Sequence, residues 1–280
     1  MMTAQPGKSI DTMFDAGGVG IRYRLDGAGR YPLVCVHGVG SSLEAWDRVV
    51  DRLAPDFRIL RFDLRGHGRS ARVKGRYEIG DFVRELFLLA DHAGFKRFAL
   101  AGFSLGGLIA QRATLDHPSR IDRLALLATV AGRNETENQR VRDRLHLLQT
   151  KEPGSHYDNS VSRWFSKEFQ QANPELMAQL RARNASNDPE CYAAAYRVLA
   201  ESDFGGELPR IGCPTLIATG EDDQGSNPRM ARFMSERIAG SKLTIFPRRR
   251  HSILLEAHEE VAAELRTFLL AGRNPENEHG

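Results

Sequence analysis

The sequence predicts an α/β fold with a mostly parallel central sheet flanked by helices and interrupted by an inserted helical unit. Three observations carry this. Short apolar runs without polar alternation, such as Leu33-Val34-Cys35-Val36 and Phe98-Ala99-Leu100-Ala101, suit strands buried on both faces. Amphipathic stretches lie between them: Ile79, Phe82, Leu86, Leu89, Ala90 and Ala93 share one face, the spacing of a helix laid on a sheet. From Ala131 to about Glu207 this rhythm gives way to polar, charged, helix-forming sequence carrying Trp164, Phe165, Phe169, Tyr192 and Tyr196, and it resumes at Pro214.

In order, two N-terminal strands surround residues 15–18 and end near Arg24, and Asp26-Gly27-Ala28-Gly29 forms a turn. A strand over 31–36, a helix over 43–53, a strand over 58–63, a helix over 79–93 and a strand over 97–103 follow. A helix then starts after Ser104, and a strand covers 123–128. Beyond the insertion come strands from Pro214 and over 242–247, then a helix over 253–270. The tail from Gly272 is too polar to pack and should fray. The 280 residues thus divide into a first core part, 1–130, an inserted helical cap, 131–207, and a second core part, 208–280.

Composition narrows the function classes. The formal charge of +3 is spread over many residues of both signs, and only the short run Arg248-Arg249-Arg250 is basic, which argues against a nucleic-acid partner. Cys35, Cys191 and Cys213 are far apart, with no C-x-x-C and no metal-ligand spacing. They read as buried or incidental thiols of a reducing compartment. The first residues lack the apolar core of a signal peptide and no run approaches a membrane span, so a cytoplasmic location is expected.

The most informative stretch runs from Phe98 to Ala110. An apolar strand reaches Gly102-Phe103-Ser104-Leu105-Gly106 and continues as a helix former. G-x-S-x-G in this context is a nucleophile elbow, in which a sharp turn lifts the serine hydroxyl above the sheet. Glycines two residues before and after the serine let backbone and helix pass closely.

A serine hydroxyl needs a base, and the base needs an acid to fix its tautomer. After Ser104 the strand from Pro214 ends in Glu221-Asp222-Asp223, and His251 lies just beyond the strand that starts at Lys242. Both positions fall where loops leave the carboxyl ends of strands. Of the histidines after the acidic cluster, His258 sits in a helical stretch and His279 in the tail, which leaves His251 as the base. Asp223 is preferred to Asp222 as the acid: it stands five residues before Pro228, with the turn-forming Gln224-Gly225-Ser226-Asn227 between. The end of the preceding strand, Leu127-Ala128-Thr129-Val130-Ala131, offers no competing carboxylate. Oxyanion stabilisation calls for two backbone N–H groups, assigned to Leu105 at the helix N-terminus and to Val39 in the loop His37-Gly38-Val39-Gly40. His37 is expected to brace that loop.

These residues resemble the α/β-hydrolases over most of the chain. The resemblance runs through His37-Gly38, the segment Arg61-Phe62-Asp63-Leu64-Arg65-Gly66-His67-Gly68-Arg69-Ser70, the elbow, Gly220 to Asp223, and His251. It implies the α/β-hydrolase fold with a cap and serine-dependent hydrolysis through an acyl-enzyme. The D-x-R-G-H-G-x-S loop is characteristic of the branch holding small esterases, lactonases and carbon–carbon bond hydrolases, where Asp63 and His67 are structural. Arg163-Trp164-Phe165, Asn173-Pro174-Glu175-Leu176 and Asp188-Pro189-Glu190-Cys191-Tyr192-Ala193 look like the cap of 3-oxoadipate enol-lactonases, which implies a small acidic lactone or ester. The chain departs from those enzymes at His37-Gly38, where they carry a serine- or asparagine-type loop. It departs again at residues 248–250, where a small residue usually precedes the histidine.

A substrate carboxylate in an apolar pocket needs a cation, and arginine suits the task through its planar fork. The candidates are Arg133, Arg163 beside Trp164, and the basic turn before His251. No phosphate loop and no metal motif appears, so neither cofactor nor metal is expected, and the partners are a small substrate and water. Carbon–carbon bond hydrolysis and cofactor-free perhydrolysis use a similar triad, and a non-catalytic binder of this fold is the remaining alternative. A serine with its base, acid and oxyanion loop all present favours the ester or lactone hydrolase.

Overall fold

Strands that are apolar on both faces need cover on both. In a computed structural model describing residues 11–150 and 155–273, one eight-stranded sheet receives that cover. The core opens with β1 (Thr12–Asp15), β2 (Gly20–Asp26), β3 (Tyr31–Val36), α1 (Asp47–Leu53), β4 (Phe57–Phe62) and α2 (Ile79–His92). It continues with β5 (Phe98–Phe103), α3 (Leu105–Asp116) and β6 (Ile121–Leu127). Five helices are then inserted: α4 (Glu135–Thr150), α5 (Ser155–Trp164), α6 (Lys167–Ala172), α7 (Pro174–Ala185) and α8 (Pro189–Glu201). The chain returns to the sheet with β7 (Thr215–Gly220), α9 (Pro228–Arg237), β8 (Lys242–Phe246), α10 (Ile253–Glu256) and α11 (His258–Leu270).

The strand order is β1-β2-β4-β3-β5-β6-β7-β8, antiparallel at β1/β2 and β2/β4 and parallel elsewhere. Alternate residues of each central strand enter opposite layers. Val34 and Leu100 pack with Leu86 of α2 and Ile109 of α3, whereas Leu33 and Ala99 pack with Val49 of α1 and Leu265 of α11. The connection after β3 leads toward β4, and the one after β5 leads away from it toward β6. Their diverging loops leave a crevice above the carboxyl ends of β3 and β5, where open α/β sheets hold ligands.

Strand ends agree with the sequence reading to within two residues. Two helices differ. The one expected over 43–53 begins as a 3₁₀ turn, Leu43–Trp46, before α1. The one expected over 253–270 breaks at Ala257, whose backbone (φ −127°, ψ 30°) leaves the helical region between α10 and α11. The break lets α11 lie along α1 while Glu256 turns back to the Arg250 N–H. The tail packs as far as Arg273, whose guanidinium lies 4.4 Å from the Tyr31 ring centre. The expected frayed tail from residue 274 and the N-terminal residues 1–10 lie outside the described residues. Among the described residues no helix is long and apolar enough to cross a membrane.

Two glycines fix the strand–helix junction of β5 and α3. A Cβ on Gly102 would overlap the Gly106 carbonyl, and one on Gly106 would overlap the carbonyls of Val36 and His37. Backbone cannot yield as a side chain can. Gly102→Ala and Gly106→Ala should therefore each lower unfolding stability by roughly 3 kcal/mol or more, in the range of severe overpacking. Gly80→Ala, in an open position of α2, should be neutral or mildly stabilising. Urea melts of the three variants test this, and a Gly106→Ala protein as stable as Gly80→Ala would contradict it.

Candidate active site

Ser104 lies between β5 and α3, at the N-cap position of the helix, with φ 55° and ψ −117°, a conformation that non-glycine residues rarely hold. The neighbouring strand pins it. Its N–H donates to the Leu127 carbonyl (2.9 Å), and its carbonyl accepts the Thr129 hydroxyl (2.7 Å). Ala128, between those two partners, also has positive φ (44°) and donates its N–H to Ala218 of β7 (2.7 Å). The elbow is thus locked through β6 to β7, and β7 carries the acid.

Asp223 follows β7 and is buried, whereas Asp222 is exposed. Asp223 Oδ2 lies 2.7 Å from His251 Nδ1, and Oδ1 accepts the N–H groups of Gly225 (2.8 Å) and Ser226 (2.9 Å), while the Thr219 hydroxyl donates to the Ser226 carbonyl (2.7 Å) and so holds the turn. Burial alone would raise the carboxyl's pKa. The adjacent imidazole and the two backbone donors outweigh it and hold the carboxyl below its ordinary value. The His251 ring also lies 5.2 Å from that of Phe103, next to Ser104. The structure therefore brings Ser104, Asp223 and His251 to one cavity and leaves His258 half-buried at the start of α11, with its Nδ1 near the Leu255 carbonyl.

The loop after β3 faces the elbow. Gly38 packs against Ser104, where a Cβ would come within 2.9 Å of the serine Cβ. Neither Val39 N–H nor Leu105 N–H has a backbone acceptor among the described residues. His37 braces this loop as expected. Its Nε2 accepts the Leu64 N–H (3.0 Å), so Nδ1 carries the proton and donates to the Gly38 carbonyl (2.8 Å). The edge of His67 meets that ring at 5.4 Å, and His67 Nδ1 donates to the Arg65 carbonyl (2.9 Å). Asp63, fully buried, receives the N–H groups of Leu43 (2.8 Å) and Arg69 (2.9 Å) and an Arg22 Nη1 donor (3.0 Å). Asp63 and His67 are the frame of the loop and do not line the cavity.

The cavity encloses about 910 Å³ between the sheet's carboxyl edge and the inserted helices. Trp164 and Arg163 line it as the sequence suggested. Arg133 reaches it too, but its terminal nitrogens already donate to the carbonyls closing α8: Nη2 to Leu199 (2.6 Å), Nη1 to Ser202 (3.2 Å) and Ala200 (3.4 Å). Arginines 248–250 are not among the residues that line the cavity. Arg249 pairs with Glu260, and the Arg250 side chain donates to the Ser162 carbonyl.

Sequence reasoning missed Glu256. Buried beneath the insertion, its Oε2 accepts the Arg250 N–H (2.9 Å), and its Oε1 accepts the N–H (2.6 Å) and hydroxyl (2.7 Å) of Ser166. Ser252 N–H adds a bond to the Trp164 carbonyl (3.0 Å). One carboxylate thereby joins the inserted helices to the loop that carries His251. The only signal was a glutamate five residues after the histidine, and its partner lies 90 residues away.

The profile of the alpha/beta hydrolase fold family matches residues 31–258. The chain belongs to that family. It is 28% identical over 228 residues to 3-oxoadipate enol-lactonase 2 of Acinetobacter baylyi, covering 81% of this chain and 85% of the relative. It is 27% identical over 240 residues to (E)-2-((N-methylformamido)methylene)succinate hydrolase of the same organism, covering 85% and 90%. Among solved structures, the enol-lactonase from Burkholderia xenovorans LB400 superposes with a TM-score of 0.87 at 27% identity, covering 92% of this chain and 99% of that one.

Two predictions concern the frame of this α/β-hydrolase. Burial lowers the pKa of His37 and of His67 from 6.5 to about 4, and the charge of His37 also lowers that of His67. Above pH 6.5 neither state binds these protons. As pH falls toward 4 the unfolded chain takes them up and the folded one does not, so stability should decline across that window. The steepest slope is about 1.4 kcal/mol per pH unit for each histidine. His67→Gln should flatten the pH dependence of the urea midpoint; an unchanged slope would rule the histidine out. Glu256→Gln keeps one acceptor and sets an amide N–H against a backbone N–H. It should cost about 1–3 kcal/mol and loosen the His251 loop, read as a lower melting temperature together with a reduced kcat.

Proposed function

We propose that this chain is a serine hydrolase of small, acidic carboxylic esters or enol-lactones, working through an acyl-enzyme on Ser104 with residues 131–207 as a cap over the reacting bond. The observation that carries this reading is the 2.7 Å His251–Asp223 hydrogen bond in the same cavity as the strained Ser104. The acidic substrate has its own support: the names of the two Acinetobacter relatives contain oxoadipate and succinate.

The chemistry follows from the arrangement. The Ser104 hydroxyl attacks the carbonyl carbon while His251 Nε2 takes its proton, and the carbonyl electron pair moves onto oxygen. Val39 and Leu105 N–H groups, fixed before reaction, receive that oxyanion, so no reorganisation is needed as charge develops. Asp223, held ionised by its backbone donors, fixes the Nδ1–H tautomer and stabilises the imidazolium. As the tetrahedral species collapses, the C–O bond breaks and His251 gives its proton to the departing alkoxide or enolate. In a lactone that oxygen stays tethered to the acyl group. Water then attacks the acyl-enzyme, His251 takes its proton and passes it to Ser104, and the free acid leaves.

Turnover of a short p-nitrophenyl ester tests the reading. Ser104→Ala and His251→Ala should each lose activity on the order of 10³-fold or more, with the double variant little worse, because the residues act as a unit. A phosphonate probe should add one adduct to the wild type and none to Ser104→Ala. Asp223→Asn should lose far more activity than Asp222→Asn. Full activity in Ser104→Ala would overturn the mechanism.

A further inference from the structure

Arginines in this molecule are typically neutralised where they are buried. Arg22 pairs with Asp63 and Glu44, Arg61 with Asp26, and Arg65 with Glu85. Arg144 of α4 and Arg163 of α5 are different, as is Arg183 of α7. All three are half-buried in the wall of the cavity without an ion pair to a carboxylate among the described residues. The charge of Arg183 is felt by His37 beneath the elbow, whereas Arg144 and Arg163 act on each other and form a pair. Arg163 Nη2 makes one short bond, to the Ser160 hydroxyl (2.5 Å). Two desolvated like charges facing one cavity are costly to keep.

The other acidic groups of the wall do not relieve that cost. Glu137 is held by Arg229 and Asn227, Asp223 by His251, and Asp143 is exposed. Nor does Arg133 share the task, with its terminal nitrogens fixed on α8. We propose that Arg144 and Arg163 form a carboxylate-binding subsite on the inserted helices, holding the free acid end of the substrate while its ester or lactone carbonyl meets Ser104. The substrate class this selects is the monoester or enol-lactone of a short dicarboxylic acid.

Three properties of the subsite agree. The guanidinium fork matches a carboxylate through two hydrogen bonds, and two arginines on separate helices can address both of its oxygens. Burial and the charge of Arg144 lower the Arg163 pKa to about 10, a penalty that an incoming anion reverses. Tyr196 lines the same wall, and burial raises its phenol's pKa, so it stays a neutral hydroxyl beside the two cations.

The inference rests on the serine-hydrolase reading for which end of the ligand faces Ser104, and a binding experiment separates the two. Calorimetry on Ser104→Ala, which cannot turn over the ligand, compares monomethyl glutarate with neutral dimethyl glutarate. The half-ester should bind at least about 10-fold more tightly, the order of one charge-assisted contact. Adding Arg144→Gln or Arg163→Gln should abolish most of that difference, and the lysine variants should keep part of it through charge alone. Arg52→Gln, at a surface ion pair with Glu259, should leave it intact. Equal affinity for the two compounds, or a preference that survives both glutamine variants, would overturn the subsite. Neither result bears on whether the wild type hydrolyses esters, which the phosphonate and p-nitrophenyl assays decide.

Discussion

A single strained residue organises this molecule. Holding Ser104 at φ 55° costs on the order of 1–3 kcal/mol, and the strain persists because everything around it is over-determined. Gly102 and Gly106 let β5, α3 and the loop after β3 approach backbone to backbone, where a methyl group would not fit. The Leu127 carbonyl and Thr129 hydroxyl grip the serine from β6, and Ala128 passes the constraint to β7. The same close packing that raises the serine above the sheet delivers the loop of Val39 to one side of it and the loop of Asp223 to the other. The geometry of the elbow and the integrity of the central sheet are therefore one property.

Around that point the protein separates its tasks. The sheet and its loops hold the groups suited to bond making and breaking, all braced by buried polar contacts: Asp63 with three donors, His37 bridging to Leu64, Asp223 with two backbone N–H groups. The inserted helices contribute aromatic and cationic side chains to the cavity wall. The two parts are joined by many contacts, among them Lys74 with Asp188, Glu137 with Arg229, and Cys191 and Val198 in the core layer of α2 and α3. Asn187 donates to the Gly40 carbonyl (3.0 Å), Tyr192 packs where Gly40 lacks a side chain, and Glu256 holds Ser166.

Much of this was legible in the sequence because it depends on local rules. The elbow announces itself through two glycines at fixed offsets, and parallel strands through unbroken apolar runs such as Leu33 to Val36. The choice of Asp223 over Asp222 followed from the turn before Pro228, and the structure places Asp223, not its neighbour, against His251. What escaped depends on residues far apart in the chain. Glu256 looked like one more acid in an amphipathic helix, and only the break at Ala257 and the arrival of Ser166 give it three donors. Arg144 reads as a solvated position of a highly charged helix, since nothing local reveals that α4 lies over a cavity. Arg133 misled in the opposite direction: its position at the exit from the core suggested a ligand, but the carbonyls ending α8 lie closer.

The seam at Glu256 bears on how such proteins diversify. An inserted helical unit evolves or is transplanted as a module only if the host accepts it without disturbing the loop beneath. Here part of that acceptance runs through the loop of His251: the Ser166 hydroxyl meets Glu256, and the main-chain carbonyl of Trp164 meets the Ser252 N–H. An insertion that preserves those two points leaves the loop that carries His251 tied down, and one that lacks them alters the cavity wall and that loop together.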